Sequence, residues 1–223
     1  MSPIRLNATK IPGCSKAHVC NDLQYGGRQL GKGTKDANSA QTYDLYLPGN
    51  VGEIDRDAPF FLFVHGGAWK RGSKAGRYVK LFAEMAEQGF AVASMNYVLC
   101  NPKNGEIHTF AEMLADIDAM VSHRPGAAKA AGISVPRIAI GGSSAGGYMS
   151  MMLCFDQKYL DSGGLSNKNI AGYLHDIGNL VNRIEHSQSG AVIAFRLLDK
   201  MGFSPEEISL IVTAIGNHDE GTG

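Results

Sequence analysis

Apolar residues follow strand spacing and helical spacing in turn over the first two thirds of the chain. Short apolar or alternating runs that are typical of strands occupy residues 41–47, 59–64, 90–95 and 138–140. Between them, residues 76–88 carry apolar side chains at helical spacing, and a capping box at Thr109 and Glu112 precedes another helical stretch. Strands that alternate with helices predict a parallel sheet covered on both faces. The alternation in residues 41–47 favours a half-exposed outer strand.

The pattern changes at residues 161–168, a polar stretch rich in glycine and serine that we interpret as a junction. Beyond it the apolar spacing is helical, with candidate helices at 170–181, at 187–200 and after the N-cap signal Ser204-Pro205-Glu206-Glu207. No further strand is predicted. The sequence therefore predicts an α/β core over residues 1–160 and an all-helical segment over residues 169–223.

The strongest chemical signal is the sequence Gly-Ser-Ser-Ala-Gly at residues 142–146, between the strand 138–140 and a helical pattern. A strand, a sharp turn that carries a serine and a helix form the G-x-S-x-G nucleophile elbow. Glycine leaves room at the two positions that flank the serine. Only Ser144 has this spacing, because Ser143 would need a glycine at Ala145. The motif therefore predicts Ser144 as a nucleophile.

A second motif, His-Gly-Gly-Ala-Trp at residues 65–69, ends an apolar run of strand length. Acyl transfer builds negative charge on the carbonyl oxygen of the substrate, and fixed N–H donors stabilise that charge. We expect Gly67 and Ala68 to supply two donors, and Ala145, which follows the nucleophile, to supply another. The first glycine of the motif then serves the turn. Trp69 either lines an acyl pocket or is a packed structural indole.

Together, three stretches resemble the α/β-hydrolase superfamily: residues 65–69, the strand 91–95 that ends in Asn96-Tyr97, and the elbow at 141–147. Within it the chain resembles the esterase branch that has an HGG-type oxyanion motif, which includes hormone-sensitive-lipase-like esterases and kynurenine-formamidase-like enzymes. The resemblance covers residues 1–160. It implies a serine hydrolase that acts on a small-molecule carboxylic ester or amide and needs no cofactor.

The resemblance also implies a catalytic triad in the chain order serine, acid, histidine. A serine is a weak nucleophile and needs a histidine base that a carboxylate orients. We find no strands after Ser144 to carry the acid and the base, so the core is interpreted as a truncated α/β-hydrolase with impaired activity. Asp176 followed by His186 or His218 would satisfy the chain order and is the alternative source of the triad.

Residues 169–223 resemble a fragment of the HD superfamily of metal-dependent phosphohydrolases, because an adjacent His-Asp pair is followed by further histidines. The resemblance implies divalent-metal ligands at His175, Asp176, His186 and His218. The family pattern also has a histidine upstream of the pair and a closing aspartate downstream, neither of which is found here. A metal is therefore expected only if this segment is functional. A metal-dependent phosphohydrolase and an inactive fusion are the alternatives to the esterase.

Composition restricts the partners of the chain. Its 21 basic and 21 acidic residues cancel, which argues against nucleic acid or an anionic membrane as a partner and leaves the oligomeric state open. No apolar run has transmembrane length and no signal peptide is evident, so we expect a cytoplasmic protein. The cysteines lack zinc-site spacing and are expected to be free thiols: Cys14, Cys20, Cys100 and Cys154.

Overall fold

A seven-stranded mixed sheet organises the computed structural model, which describes residues 4–28, 40–104, 107–134, 138–155, 170–172, 186–200 and 203–216. The chain divides into two units, residues 1–171 and residues 172–223. The strands are β1 (Thr9–Lys10), β2 (His18–Gln24), β3 (Thr42–Leu47), β4 (Phe60–Val64), β5 (Ala91–Met95), β6 (Ile138–Gly142) and β7 (Ile170–Gly172). Their order across the sheet is β1-β2-β3-β5-β4-β6-β7.

Strand direction changes across the sheet. Strand β4 is parallel to both of its neighbours, with Phe61 opposite Val92 of β5 and Ala139 of β6. Strands β1, β2 and β3 are antiparallel to one another, and β3 is antiparallel to β5. Parallel neighbours need long crossover connections, whereas antiparallel ones can be joined by short turns. The predicted parallel sheet is therefore confirmed for its centre, and the sheet as a whole is mixed.

Helices cover both faces of the sheet in the first unit, as the alternating pattern predicts. They are α1 (Val79–Glu87), α2 (Phe110–Ala131) and α3 (Ala145–Phe155). On one face, Phe82 of α1 packs with Phe63 and Val92. On the other face, side chains of α2 and α3 share a core with the sheet, for example Ile117 with Leu62. The strands at the centre are thus buried from both sides.

The start of α2 is the one that the sequence predicts. The Glu112 N–H donates to the Thr109 hydroxyl at 3.3 Å, and the Thr109 N–H donates to the Glu112 carboxylate at 2.7 Å. This reciprocal pair completes the capping box and satisfies two N–H groups that a helix start leaves unpaired. These hydrogen bonds hold the pKa of Glu112 below its usual range, so the carboxylate stays charged at neutral pH.

Two predictions about strands were wrong. Residues 41–47 do not form a half-exposed outer strand, because β3 lies between β2 and β5 and is buried from Tyr43 to Leu47. The alternating pattern failed there because the polar member Asp44 is itself buried in an ion pair. Residues 170–172 form a strand beside β6 and not the start of a helix. The rest of the helix predicted at 170–181 lies outside the described residues.

In the described part of the second unit, two helices, α4 (His186–Lys200) and α5 (Pro205–Gly216), confirm the helices predicted there. They pack against each other. The Phe203 N–H donates to the Leu198 carbonyl at 3.1 Å after α4, and the Ile208 N–H donates to the Ser204 carbonyl at 2.9 Å at the start of α5. Among the described residues, no helix is both long and apolar enough to cross a membrane.

A buried ion pair anchors the loop that follows β4. The Lys74 ammonium lies 2.6 Å from the Asp44 carboxylate and 2.8 Å from the carboxylate of Asp22. The backbone of the same lysine is also fixed, since its N–H donates to the Asn96 side chain at 2.8 Å and its carbonyl accepts from the Ser94 hydroxyl at 2.9 Å. The loop is thereby tied to β3 and to the end of β5.

We predict that Asp44→Ala destabilises the fold by about 3 kcal/mol, because the Lys74 ammonium loses its buried partner and keeps only the exposed Asp22 carboxylate. Chemical denaturation of the two proteins measures this difference in the free energy of unfolding. Asp57→Ala is the matched control: Asp57 is exposed, and its replacement should change stability by no more than about 0.5 kcal/mol. Equal effects of the two substitutions would contradict a structural role for the pair.

Candidate active site

Ser144 lies at the tip of a tight turn between β6 and α3. Its φ of +50° is in the left-handed region, which residues with a side chain adopt only at a cost in energy. The side chain is exposed, whereas Ala145 after it is buried at the first position of the helix. Strand, strained serine and helix are thus arranged as the sequence predicts for a nucleophile elbow.

Glycines make this turn fit against the end of β4. A Cβ atom at Gly142 would overlap the carbonyl oxygen of Val64, and a Cβ atom at Gly146 would overlap the carbonyl oxygens of Val64 and His65. The Ser143 N–H also donates to the Val64 carbonyl, at 3.3 Å. The ends of β4 and β6 therefore lie in direct backbone contact, which only residues without a side chain allow.

The turn after β4 carries three consecutive residues with positive φ: +130° at Gly67, +53° at Ala68 and +60° at Trp69. The Gly67 carbonyl accepts hydrogen bonds from the N–H groups of Lys70 and Arg71, at 3.1 and 3.2 Å. This fixes the orientation of the peptide units in the turn. Within the described part of the chain, no hydrogen bond is recorded from the N–H of Gly67 or Ala68.

Ser143 connects the two turns, a role that the sequence did not indicate. Its hydroxyl accepts a hydrogen bond from the Gly66 N–H at 3.1 Å. A Cβ atom at Gly66 would crowd the backbone and the hydroxyl of the same serine. The N–H of Gly66 is thus already used inside the protein. This agrees with the assignment of the first glycine of the motif to the turn rather than to a substrate.

Tyr97 anchors the turn after β4 through its contacts with His65. Its hydroxyl donates to the His65 carbonyl at 2.8 Å, and its ring stacks on the imidazole with 4.4 Å between ring centroids. The side chain is fully buried. Burial raises the pKa of the Tyr97 hydroxyl well above its usual range, so it stays protonated and remains a donor. The sequence marks it only as part of the stretch 91–97 that resembles the α/β-hydrolase superfamily, two residues after β5, the parallel neighbour of β4.

The structure brings one group of predicted site residues together and does not describe the other. Ser144, Ala145, Gly67 and Ala68 all lie at the carboxyl ends of β6 and β4, which are adjacent and parallel. Ligands of open α/β sheets bind at such strand ends. His175, Asp176 and His218 lie outside the described residues, and His186 begins α4 with no described side chain.

Among the described residues, no group of three or more histidine, cysteine, aspartate or glutamate side chains is placed to hold a metal ion. The side chains of three of the four cysteines are described, and all three are free thiols as expected: Cys14, Cys20 and Cys100. Since the predicted metal ligands of the C-terminal segment lie outside this part or have no described side chain, the metal site stays a prediction.

Comparison with known proteins identifies the family. The profile of the BD-FAE family matches residues 43–178, which is more than half of the chain. The chain belongs to the BD-FAE family. The match includes both glycine turns and continues through the predicted junction at 161–168 into the stretch that contains the His-Asp pair. The resemblance of residues 169–223 to the HD superfamily therefore stays a prediction, and part of that segment is included in the esterase match.

Individual relatives of this BD-FAE chain are esterases. A probable isoprenylcysteine alpha-carbonyl methylesterase of Arabidopsis thaliana is 32% identical over 149 residues, which is 64% of this chain and 33% of that protein. Inhibited crystal structures of esterase B from Lactobacillus rhamnosis share the fold. One has a TM-score of 0.50 at 19% identity over 94% of this chain, and another, inhibited by a tributyrin phosphonate, has 0.51 at 20% over 83%. The chain spans 62% and 57% of those two structures.

The backbone contact at the elbow generates a prediction. Gly146→Ala places a methyl group where the Val64 and His65 carbonyl oxygens lie, and we expect the strain to destabilise the protein by about 1–3 kcal/mol. Denaturation experiments measure the change. Gly126→Ala is the matched control, because this helical glycine faces only the flexible end of Ile4, and helix propensity favours alanine by about 0.5–1 kcal/mol. A Gly146→Ala variant as stable as Gly126→Ala would contradict the close approach of β4 and β6.

Proposed function

We propose that the protein hydrolyses carboxylic esters of small molecules through an acyl-enzyme on Ser144. The observation that carries the proposal is the exposed serine at φ +50°, held directly against the turn whose N–H groups at Gly67 and Ala68 are not used by described residues. Membership of the BD-FAE family supports the same reaction class. Because the chain spans only part of its relatives, the activity of the whole protein is part of the proposal.

In the proposed reaction, the Ser144 hydroxyl attacks the ester carbonyl and loses its proton to a base as the tetrahedral intermediate forms. The N–H groups of Gly67, Ala68 and Ala145 donate to the oxygen that becomes negative. Ala145 is the first residue of α3, so the positive end of the helix dipole also faces this charge. The alcohol then leaves with a proton, and water hydrolyses the acyl-serine to release the acid.

The contacts that anchor the turn after β4 fix the orientation of these N–H donors. A donor stabilises a transition state most when its orientation is fixed before the reaction, because no reorganisation is then needed. Three contacts fix the turn after β4: the Tyr97 hydroxyl on the His65 carbonyl, the Ser143 hydroxyl on the Gly66 N–H, and the Lys74 backbone on Asn96. We propose that these residues position the donors without touching the substrate.

The general base is the remaining requirement. Among the described residues, no histidine is recorded in hydrogen bond to Ser144. Asp176 and His218 follow Ser144 in the order that the triad requires, and they lie outside the described residues. Without a base, the Ser144 hydroxyl is a weak nucleophile and forms the acyl-enzyme slowly. We propose that the chain acts as a serine esterase in this impaired form.

We predict that Ser144→Ala abolishes the hydrolysis of p-nitrophenyl acetate above the rate in buffer, because the nucleophile is lost. Ser143→Ala is the matched control. It removes the acceptor of the Gly66 N–H, so we expect a loss of about 1 kcal/mol in stability, and much of the activity is kept because Tyr97 and Lys74 still anchor the turn. Equal loss in both variants, or activity that survives in Ser144→Ala, would contradict the assignment of the nucleophile.

A second prediction concerns the donors. Gly67→Ala should lower kcat by about 10²–10³-fold, since a Cβ atom there overlaps the Arg71 backbone and moves the donor. Gly89→Ala is the control, because Gly89 has a similar positive φ of +100° but no atom near its missing side chain. A Gly67→Ala variant that keeps both its fold and the wild-type kcat would show that the motif is only a structural turn.

The base is tested with three histidine variants, His175→Ala, His186→Ala and His218→Ala. We expect a wild-type kcat/KM on p-nitrophenyl acetate below the ordinary enzyme range of about 10⁴–10⁸ M⁻¹s⁻¹, and no further loss in the variants. Steady-state kinetics on all four proteins measure this. If the wild type instead lies within that range and one variant loses the activity, the C-terminal segment completes the triad and the impaired form is wrong.

A further inference from the structure

Three aromatic side chains form a cluster on the surface beside the two glycine turns. Trp69 meets the ring of Phe110 with centroids 6.4 Å apart and an angle of 80° between the planes, and it meets Tyr148 at 6.2 Å and 89°. Phe110 and Tyr148 are 5.9 Å apart. Each ring thus contacts the other two in the tilted or edge-to-face arrangements that aromatic pairs favour.

The cluster stays open to solvent although its members are large and apolar. The exposed fractions are 36% for Trp69, 36% for Phe110 and 47% for Tyr148. Mutual packing of aromatic rings normally accompanies burial, so a shared apolar surface that remains exposed is a candidate contact surface. Three side chains are few for a protein interface, which uses about 20–30 residues on each side. Its size suits part of a small molecule.

Its members come from the segments that carry the proposed chemistry. Trp69 directly follows Ala68, and its carbonyl accepts a hydrogen bond from the Cys100 N–H at 2.8 Å. Tyr148 lies one helical turn after Ser144, since its N–H donates to the Ser144 carbonyl at 3.0 Å. The backbone of Trp69 has a φ of +60°, a strained conformation that the turn maintains. Two of the three rings are therefore carried by residues directly next to a proposed donor and one helical turn after the serine.

We propose that the rings of Trp69, Phe110 and Tyr148 form a subsite for the apolar acyl chain of the ester, a saturated chain such as a hexanoyl group. This inference rests on the proposed function, because the acyl group is the part of the substrate that stays attached to Ser144. Tyr148, one helical turn after Ser144, is the member of the cluster on the same helix start as the serine. The rings bind it by removing apolar surface from water.

Binding is tested without catalysis in the full chain that carries Ser144→Ala. Trp69 is the single tryptophan of the sequence, so its fluorescence reports on the cluster alone. We expect ethyl hexanoate to change the emission in a saturable way. Ethyl acetate, which shares the ester group but lacks the chain, should bind at least about tenfold more weakly. No saturable change with ethyl hexanoate, or equal binding of the two esters, would overturn the proposal.

Variants in the same background locate the site. Phe110→Ala and Tyr148→Ala should each weaken the binding of ethyl hexanoate by about tenfold. Tyr148→Phe keeps the ring, so it should bind ethyl hexanoate as tightly as the parent chain does. Phe90→Ala is the matched control, because Phe90 is 37% exposed, as Phe110 is 36% exposed, but lies at the turn before β5. Circular dichroism verifies the fold of each variant. An equal effect of Phe90→Ala would overturn the proposal.

Hydrolysis gives a second readout in the chain with Ser144 intact. The ratio of kcat/KM for p-nitrophenyl hexanoate to that for p-nitrophenyl acetate should fall about tenfold in Phe110→Ala and stay unchanged in Phe90→Ala. Binding that follows the predicted pattern while Ser144 supports no hydrolysis would support the subsite and contradict the proposed function. Hydrolysis that depends on Ser144 with an unchanged ratio in Phe110→Ala would support the proposed function and contradict the subsite.

Discussion

The contact between the carbonyl oxygens at the end of β4 and the glycines of the elbow is the constraint on which the rest of the site depends. Val64 and His65 leave no room for a Cβ atom at Gly142 or Gly146, so the ends of two parallel strands meet backbone to backbone. Because β4 and β6 are neighbours, the serine of one turn and the N–H groups of the other lie at the same edge of the sheet. The close approach of the two turns thus creates the candidate site, which neither turn forms alone.

Buried polar contacts hold this arrangement under strain. Ala68, Trp69 and Ser144 have φ values that cost energy, and such conformations persist only where the surrounding structure determines them. The surroundings here are the Tyr97 hydroxyl, the Ser143 hydroxyl and the Lys74–Asp44 pair, each anchored in the central strands or in the turns themselves. The apolar core on both sheet faces gives these groups a rigid base. Stability and the geometry of the site are therefore coupled.

Local signals in the sequence predicted the elements that depend on local physics. The capping box at Thr109 specifies the start of α2 through hydrogen bonds within four residues, and the glycine spacing specifies the elbow around Ser144. The predictions that failed concern residues whose contacts are distant in the sequence. The alternating pattern of β3 indicated an exposed face, but Asp44 finds its counter-charge thirty residues away in Lys74, and β2 covers the strand edge. The position of Ser143 against Gly66 is equally non-local.

The central claim is that Ser144 and not its neighbour forms the covalent intermediate, and mass spectrometry of the trapped adduct tests it most directly. The full chain is incubated with a fluorophosphonate, digested, and the modified residue is located by fragmentation of the peptide that contains the elbow. The account predicts that the adduct lies on Ser144, which is exposed at the tip of the turn, and not on Ser143, whose hydroxyl accepts from Gly66. An adduct on Ser143, or on a serine outside the elbow, would contradict it.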